Sequence, residues 1–377
     1  MIVSVAEGPI VVPKTHTYKS LDAWRGLASL WVVLYHTSAP LSDKFNLSAQ
    51  RAYDLPLNGY LGVSVFFVVS GYCIAHAAAQ ALGRTDGLKC YAAARFRRIY
   101  WPCLFSLPFY LSLGMLAAFL VSHHILKSSA LAQQGFSHQN VLYYLSNLTL
   151  TQIVFQQKFV SNVCWTLCYE VAFYVIVGLV ITLKAVSEKQ LLTTLHALTV
   201  ATLAYWIVMP KVVIYPLDYW PLFGLGVLVY DLLKHRSLTA KLAFFIIGGL
   251  FIVFALLNIS GGYLGRGTRT TFLTAFVTAL LLWCLHSYDA RLMRFKVVQA
   301  LSWLGLFSYS LYLTHWLVVG LVLQTLVKLH HETPWLCLIL CPLVSVAVAF
   351  GFYQLFERPF MKKKPLPLSK TATLERA

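Results

Sequence analysis

The chain has 377 residues, of which 59% are hydrophobic and only 11% charged, with a mean hydropathy of +0.69. A soluble domain carries roughly a quarter charged residues, and here the deficit runs the whole length of the chain, so a soluble globular protein is excluded. The formal charge of +17 does not point to nucleic acid, because the Lys and Arg residues fall in short segments between apolar runs and read as topology determinants.

Apolar runs of about 18 to 25 residues recur from residue 21 to residue 356, each long enough to cross a hydrocarbon core roughly 30 Å thick as a helix. Such unbroken runs exclude the alternating pattern of a barrel strand. The fold class is all-α, a polytopic transmembrane helical bundle of about ten spans: 21–40, 59–82, 100–122, 165–184, 190–209, 213–233, 241–258, 270–288, 301–328 and 334–356. The segment 138–156 is nearly as apolar but contains Asn140, Ser146, Asn147, Thr149, Thr151 and Gln152, so it reads as interfacial or re-entrant.

Residues 1–20 include Glu7, Pro9, Pro13 and Lys14 and contain no signal-peptide core, so the first span is expected to be an uncleaved anchor. With the N-terminus in the cytoplasm, alternate segments place 21 of the 30 Lys and Arg on the cytoplasmic side and eight opposite, with Arg25 inside a span. An even number of spans with both termini cytoplasmic follows from that asymmetry. The expected layout is a cytoplasmic segment 1–20, a transmembrane domain 21–358 and a basic cytoplasmic tail 359–377, in the inner (cytoplasmic) membrane.

Ionisable groups inside spans are costly and face a bundle interior or a wet cavity, which makes them the informative residues. In the first span, Arg25 and His36 are eleven residues apart, a spacing that returns to within about 20° of one direction while rising about 16 Å. They share a face, with Asp22 and Ser29 near it. The second span carries Gly59, Gly62, Ser64, Ser70 and Gly71, small residues that permit close helix approach. Arg95, Arg97 and Arg98 in RFRRIYWP stand in the segment before the third span, suited either to lipid headgroups or to the phosphates of a ligand. Glu170 lies about a turn and a half inside the fourth span. Ser308 and His315 in the ninth are seven residues apart and share a face, and Glu357 and Arg358 end the tenth. The eight Cys lie mostly within apolar runs. Cys164 and Cys168 are one turn apart without partners for a zinc site, so no metal is expected.

Taken in order, Arg25 with His36, GYLGVSVFFVVSGY at 59–72, RFRRIYWP, WTLCYEVAFY at 165–174, SYSLYLTHW at 308–316 and ERP at 357–359 resemble the acyltransferase-3 family of integral membrane acyltransferases. The resemblance covers essentially residues 19–360. Two departures are Thr166, where Ser is commoner after the Trp, and Trp101 before the Pro that follows the arginine motif. The resemblance implies transfer of an acyl group, usually acetyl from acetyl-CoA as co-substrate rather than bound cofactor, to a hydroxyl of a carbohydrate or lipid-linked glycan. It implies a catalytic role for His36 and acyl-CoA binding by Arg25, Arg95, Arg97 and Arg98. Some relatives carry a C-terminal esterase-like extracytoplasmic domain, which is not expected here.

On that basis the arginines would dock the CoA phosphates and His36 would act as general base, with Glu170 or Asp22 orienting its imidazole or holding a cationic partner. Tyr174, Ser308, Tyr309 and Ser310 are candidate oxyanion donors, and His315 a candidate acceptor contact. An acyl-His relay and direct transfer both remain open. The rival classes are a secondary transporter, which commonly shows repeats and paired broken helices, and an acyltransferase acting on a small intracellular hydroxyl compound. No nucleic-acid partner is expected beyond membrane lipids, acyl-CoA and the acceptor.

Overall fold

The computed structural model describes residues 18–82, 84–123, 140–183, 187–209, 212, 214–257 and 268–361. Most of the expected segment 1–20 and nearly all of the basic tail lie outside the described residues, as do 124–139 and 258–267. Every regular element among the described residues is helical: α1 (Leu21–Ser38), α2 (Gly62–Leu82), α3 (Gly87–Ser122), α4 (Val141–Thr149), α5 (Trp165–Thr182) and α6 (Glu188–Val208) are followed by α7 (Trp220–His235), α8 (Leu238–Leu257), α9 (Thr268–Leu285), α10 (Lys296–Leu306), α11 (Ser308–Lys328) and α12 (Pro334–Phe352).

Seven of these, α2, α3, α5, α6, α9, α11 and α12, are long and apolar enough to cross a membrane, and the protein is a multi-pass membrane protein. The other three expected spans correspond to α1, which carries Asp22 and Arg25, to α7 and to α8. The ninth expected span does not run unbroken from residue 301. The helix breaks at Phe307 (φ −121°, ψ 22°), where the Ser308 hydroxyl donates to the Gly305 carbonyl at 2.9 Å, and α10 becomes a separate element packed on α1.

The third span also begins earlier than its apolar run suggests. Helix α3 starts at Gly87, because Ala92, Ala93, Ala94 and the arginines are strong helix formers that extend it well before Pro102. The arginine motif therefore lies within a helix and not in a connecting loop. The segment 138–156 contains only the nine-residue α4, about 14 Å long and too short to span. The chain then turns back around Asn147, whose Oδ1 accepts from the Val160 amide and from Gln152 Nε2, both at 2.9 Å, while its Nδ2 donates to the Lys158 carbonyl at 3.0 Å.

Small residues do set the closest helix contacts. A Cβ on Gly71 of α2 would stand 2.0 Å from the Phe223 carbonyl oxygen of α7, and one on Gly305 would stand 1.8 Å from that of Asp22. Backbone meets backbone at both points, and neither neighbour is a side chain that can turn away. Gly71→Val should therefore destabilise the α2–α7 contact by about 1–3 kcal/mol, the usual cost of overpacking. The measurement is the thermal midpoint of the detergent-solubilised protein, and an unchanged midpoint would contradict the contact.

Candidate active site

Helices α1, α2, α3, α5 and α11 surround a partly open cavity, lined among others by Arg25, Ser70, Arg95, Arg98, Glu170 and Tyr309. Helical phase explains which arginines reach it. Arg95 and Arg98 are three residues apart and share a face of α3, whereas Arg97 points elsewhere, is exposed and lines neither cavity described here. Arg25 donates through Nη1 to Asp22 Oδ1 at 3.0 Å and through Nη2 to Cys73 Sγ at 3.1 Å. Arg95 lies 5.8 Å from the Tyr174 ring centre, and its buried Nε has no hydrogen-bond partner. Among the described residues no carboxylate stands within ion-pair distance of Arg95 or Arg98. Unpaired guanidinium groups in a partly enclosed cavity are suited to an anionic ligand.

Glu170 accepts from the Ser70 hydroxyl at 2.9 Å and from the Tyr174 hydroxyl, so its negative charge is held by neutral donors rather than by a salt bridge. Glu357, buried at the π-helical turn Tyr353–Glu357 after α12, accepts from the Ser310 hydroxyl.

A second cavity, also partly open, holds His36 at the far end of α1 together with Tyr35, Tyr60, Asn162, Trp165 and Tyr219. Val63 and Tyr312 line both cavities, and together with Val32, Phe66, Val163 and Trp316 they form one apolar cluster. The Tyr312 hydroxyl is fixed there by the Val163 carbonyl at 3.0 Å and the Thr166 hydroxyl at 2.7 Å. The His36 ring packs against His315, with ring centres 5.2 Å apart, and against Trp316 at 4.7 Å.

The residues singled out by sequence thus fall into separate groups. Arg25, Arg95, Arg98, Glu170, Tyr174, Ser308 and Tyr309 line the first cavity. His36 lines the second, and His315 packs against the His36 ring without lining either cavity. Of the two roles open to Glu170 and Asp22, orienting His36 is met by neither, and holding a cation is met by Asp22. Asp22 is fourteen residues away on the same helix, about 21 Å along its axis, and pairs with Arg25. Glu170 belongs to the other cavity. The four candidate oxyanion donors already donate elsewhere: Tyr174 to Glu170, Ser308 to Gly305, Tyr309 to the Ile99 carbonyl and Ser310 to Glu357. An oxyanion role for any of them requires that bond to be exchanged. Cys164 and Cys168 are buried, whereas Cys73 lines the first cavity beside Arg25.

Sequence reasoning missed Tyr312, Cys73 and the aromatic lining of the second cavity. Tyr312 is four residues from Ser308, on the inward face already marked by Ser308 and His315, so helical phase could have found it. Tyr60, Asn162, Trp165 and Tyr219 come from distant segments and carry no spacing signal.

The acyltransferase-3 family profile, described as an acyltransferase domain, matches residues 18–354. O-acetyltransferase OatA of Staphylococcus aureus is 24% identical, the alignment covering 91% of this chain and 57% of OatA. A putative membrane-bound transacylase, BcsY of Komagataeibacter xylinus, is 27% identical, with 79% of this chain and 72% of that protein covered. The chain thus spans little more than half the length of OatA. No solved structure matches the chain.

The first cavity makes a prediction of its own. In a variant whose only cysteine is Cys73, a small thiol reagent should modify that residue severalfold faster than it modifies a lone Cys164, which is buried, since access governs thiol reactivity. Equal rates, measured by mass spectrometry, would contradict an accessible cavity.

Proposed function

Because the chain belongs to the acyltransferase-3 family, we propose that it transfers an acyl group, acetyl in the first instance, from acyl-CoA to a hydroxyl of a carbohydrate or lipid-linked glycan. The names of OatA, an O-acetyltransferase, and BcsY, a transacylase, support that reaction class. The single observation that carries the reading is the pair of adjoining cavities, one lined by arginines and the other by His36 and aromatic side chains, with Val63 and Tyr312 common to both.

In this reading Arg95 and Arg98 receive the phosphates of acyl-CoA from the cytoplasm, and Arg25 borders the path of the pantetheine arm toward the shared wall. In the same reading the protein lies in the cytoplasmic membrane with both termini on the inner face, an orientation that the cation asymmetry supports. The second cavity suits a sugar, whose C–H faces pack on Tyr60, Trp165 and Tyr219 while its hydroxyls meet Asn162 and His36. His36 takes the proton of the acceptor hydroxyl as the oxygen attacks the thioester carbonyl. The C–O ester bond forms, the C–S bond breaks, and the proton passes to the departing thiolate as free CoA.

His36→Ala should abolish acyl transfer while leaving membrane insertion intact. The measurement is ester-linked acyl content of surface glycans in a deletion strain complemented with wild type or variant. Restoration by the variant would overturn the mechanism, and restoration by neither would direct attention to a small hydroxyl acceptor. Arg98→Ala should weaken acetyl-CoA binding about tenfold, the loss expected for a charged hydrogen bond. Arg97→Ala should leave it within twofold. Equal effects in a calorimetric titration would return the whole motif to a topology role.

A further inference from the structure

His315 is completely buried on α11 and has an asymmetric environment. Its Nδ1 stands 2.8 Å from the Tyr312 carbonyl and 3.1 Å from the Leu311 carbonyl. Two carbonyl oxygens can only accept, so Nδ1 carries the proton and Nε2 carries the lone pair. That Nε2 is buried and has no hydrogen-bond partner. An unpaired buried acceptor is costly, and the ring of His315 packs against that of His36, with ring centres 5.2 Å apart and a tilt of 39°. No hydrogen bond joins the two rings in this structure, but their separation is short enough for one to form when a nitrogen of the His36 ring turns toward Nε2.

From this geometry we infer that His315 is a positioning residue for His36: once the His36 ring turns toward it, the unpartnered Nε2 accepts the N–H of the His36 imidazole, so that the other His36 nitrogen presents its lone pair to the second cavity. The inference rests on the reading of His36 as general base given above. A base needs a defined tautomer, and the group behind it commonly sets that tautomer. Here neither Asp22 nor Glu170 occupies that place, since both are engaged elsewhere. A neutral imidazole anchored to its own helix backbone does the same work without a second charge in the bundle. When His36 takes the acceptor's proton, the imidazolium keeps its bond to His315 Nε2. His315 itself neither gains nor loses a proton, because its Nδ1–H stays on the two carbonyls.

The test compares three variants in membranes supplied with radiolabelled acetyl-CoA, counting label that becomes ester-linked. His315→Phe fills the site but has no acceptor. His315→Asn keeps a donor for the two carbonyls but does not reach the position of Nε2. His315→Gln places an amide oxygen near it. Phe and Asn should lower kcat about a hundredfold, at the lower end of what general-base catalysis contributes, with the KM for acetyl-CoA within twofold of wild type. Gln should recover a substantial part of kcat. If Gln is as inactive as Asn although both are extracted intact, or if Phe retains near-normal kcat, the positioning role is overturned. If wild-type membranes incorporate no label, the acyl-CoA reading falls first and this role falls with it. Should Phe fail to accumulate, the contrast between Asn and Gln still decides.

Discussion

A charged side chain inside a membrane bundle must keep either water or partners, and that requirement organises the centre of this molecule. Arg25 on α1 is held by Asp22 and reaches Cys73 on α2. Glu170 on α5 draws in Ser70 from α2 and Tyr174 from its own helix. Glu357 takes Ser310 from α11. These contacts tie together helices around the first cavity, and they satisfy Glu170 and Glu357 with neutral donors. The guanidinium groups of Arg95 and Arg98 are left available, so the cavity presents positive charge to whatever enters it.

Helix approach and helical phase do the rest. The backbone contact at Gly71 fixes α2 against α7, and α2 contributes Val63, Ser64, Ser70 and Cys73 to the two cavities. The threefold spacing of Arg95 and Arg98 turns both inward while Arg97 faces away. Tyr312, pinned by Val163 and Thr166, stands where the two cavities adjoin. Thr166, an unusual residue at its motif position, keeps the hydroxyl needed for that bond.

Much of the fold was legible because lipid imposes a simple rule: long apolar runs become helices, and each expected span has a helical counterpart. The boundaries that escaped were set by local chemistry that hydropathy does not register. Alanines and arginines extend α3 ahead of its apolar run, and the Gly305–Ser308 bond accompanies the break between α10 and α11. Of the site, the shared face of Arg25 and His36 followed from spacing, and their assignment to different cavities did not. That separation depends on Val63 and Tyr312, which are unremarkable in sequence and acquire meaning from the packing of α2 against α11. The orienting partner of His36 was sought among carboxylates because charge is conspicuous in an apolar sequence, and the neighbour that packing supplies is His315.

The central claim is that donor and acceptor enter adjoining cavities that meet at Val63 and Tyr312. A structure of the protein determined by cryo-electron microscopy with acetyl-CoA bound tests it most directly. The account predicts the phosphates at Arg95 and Arg98 and the acetyl thioester beside Val63 and Tyr312, facing His36. Density for the ligand at another face of the bundle, or with its thioester turned away from that wall, would contradict it.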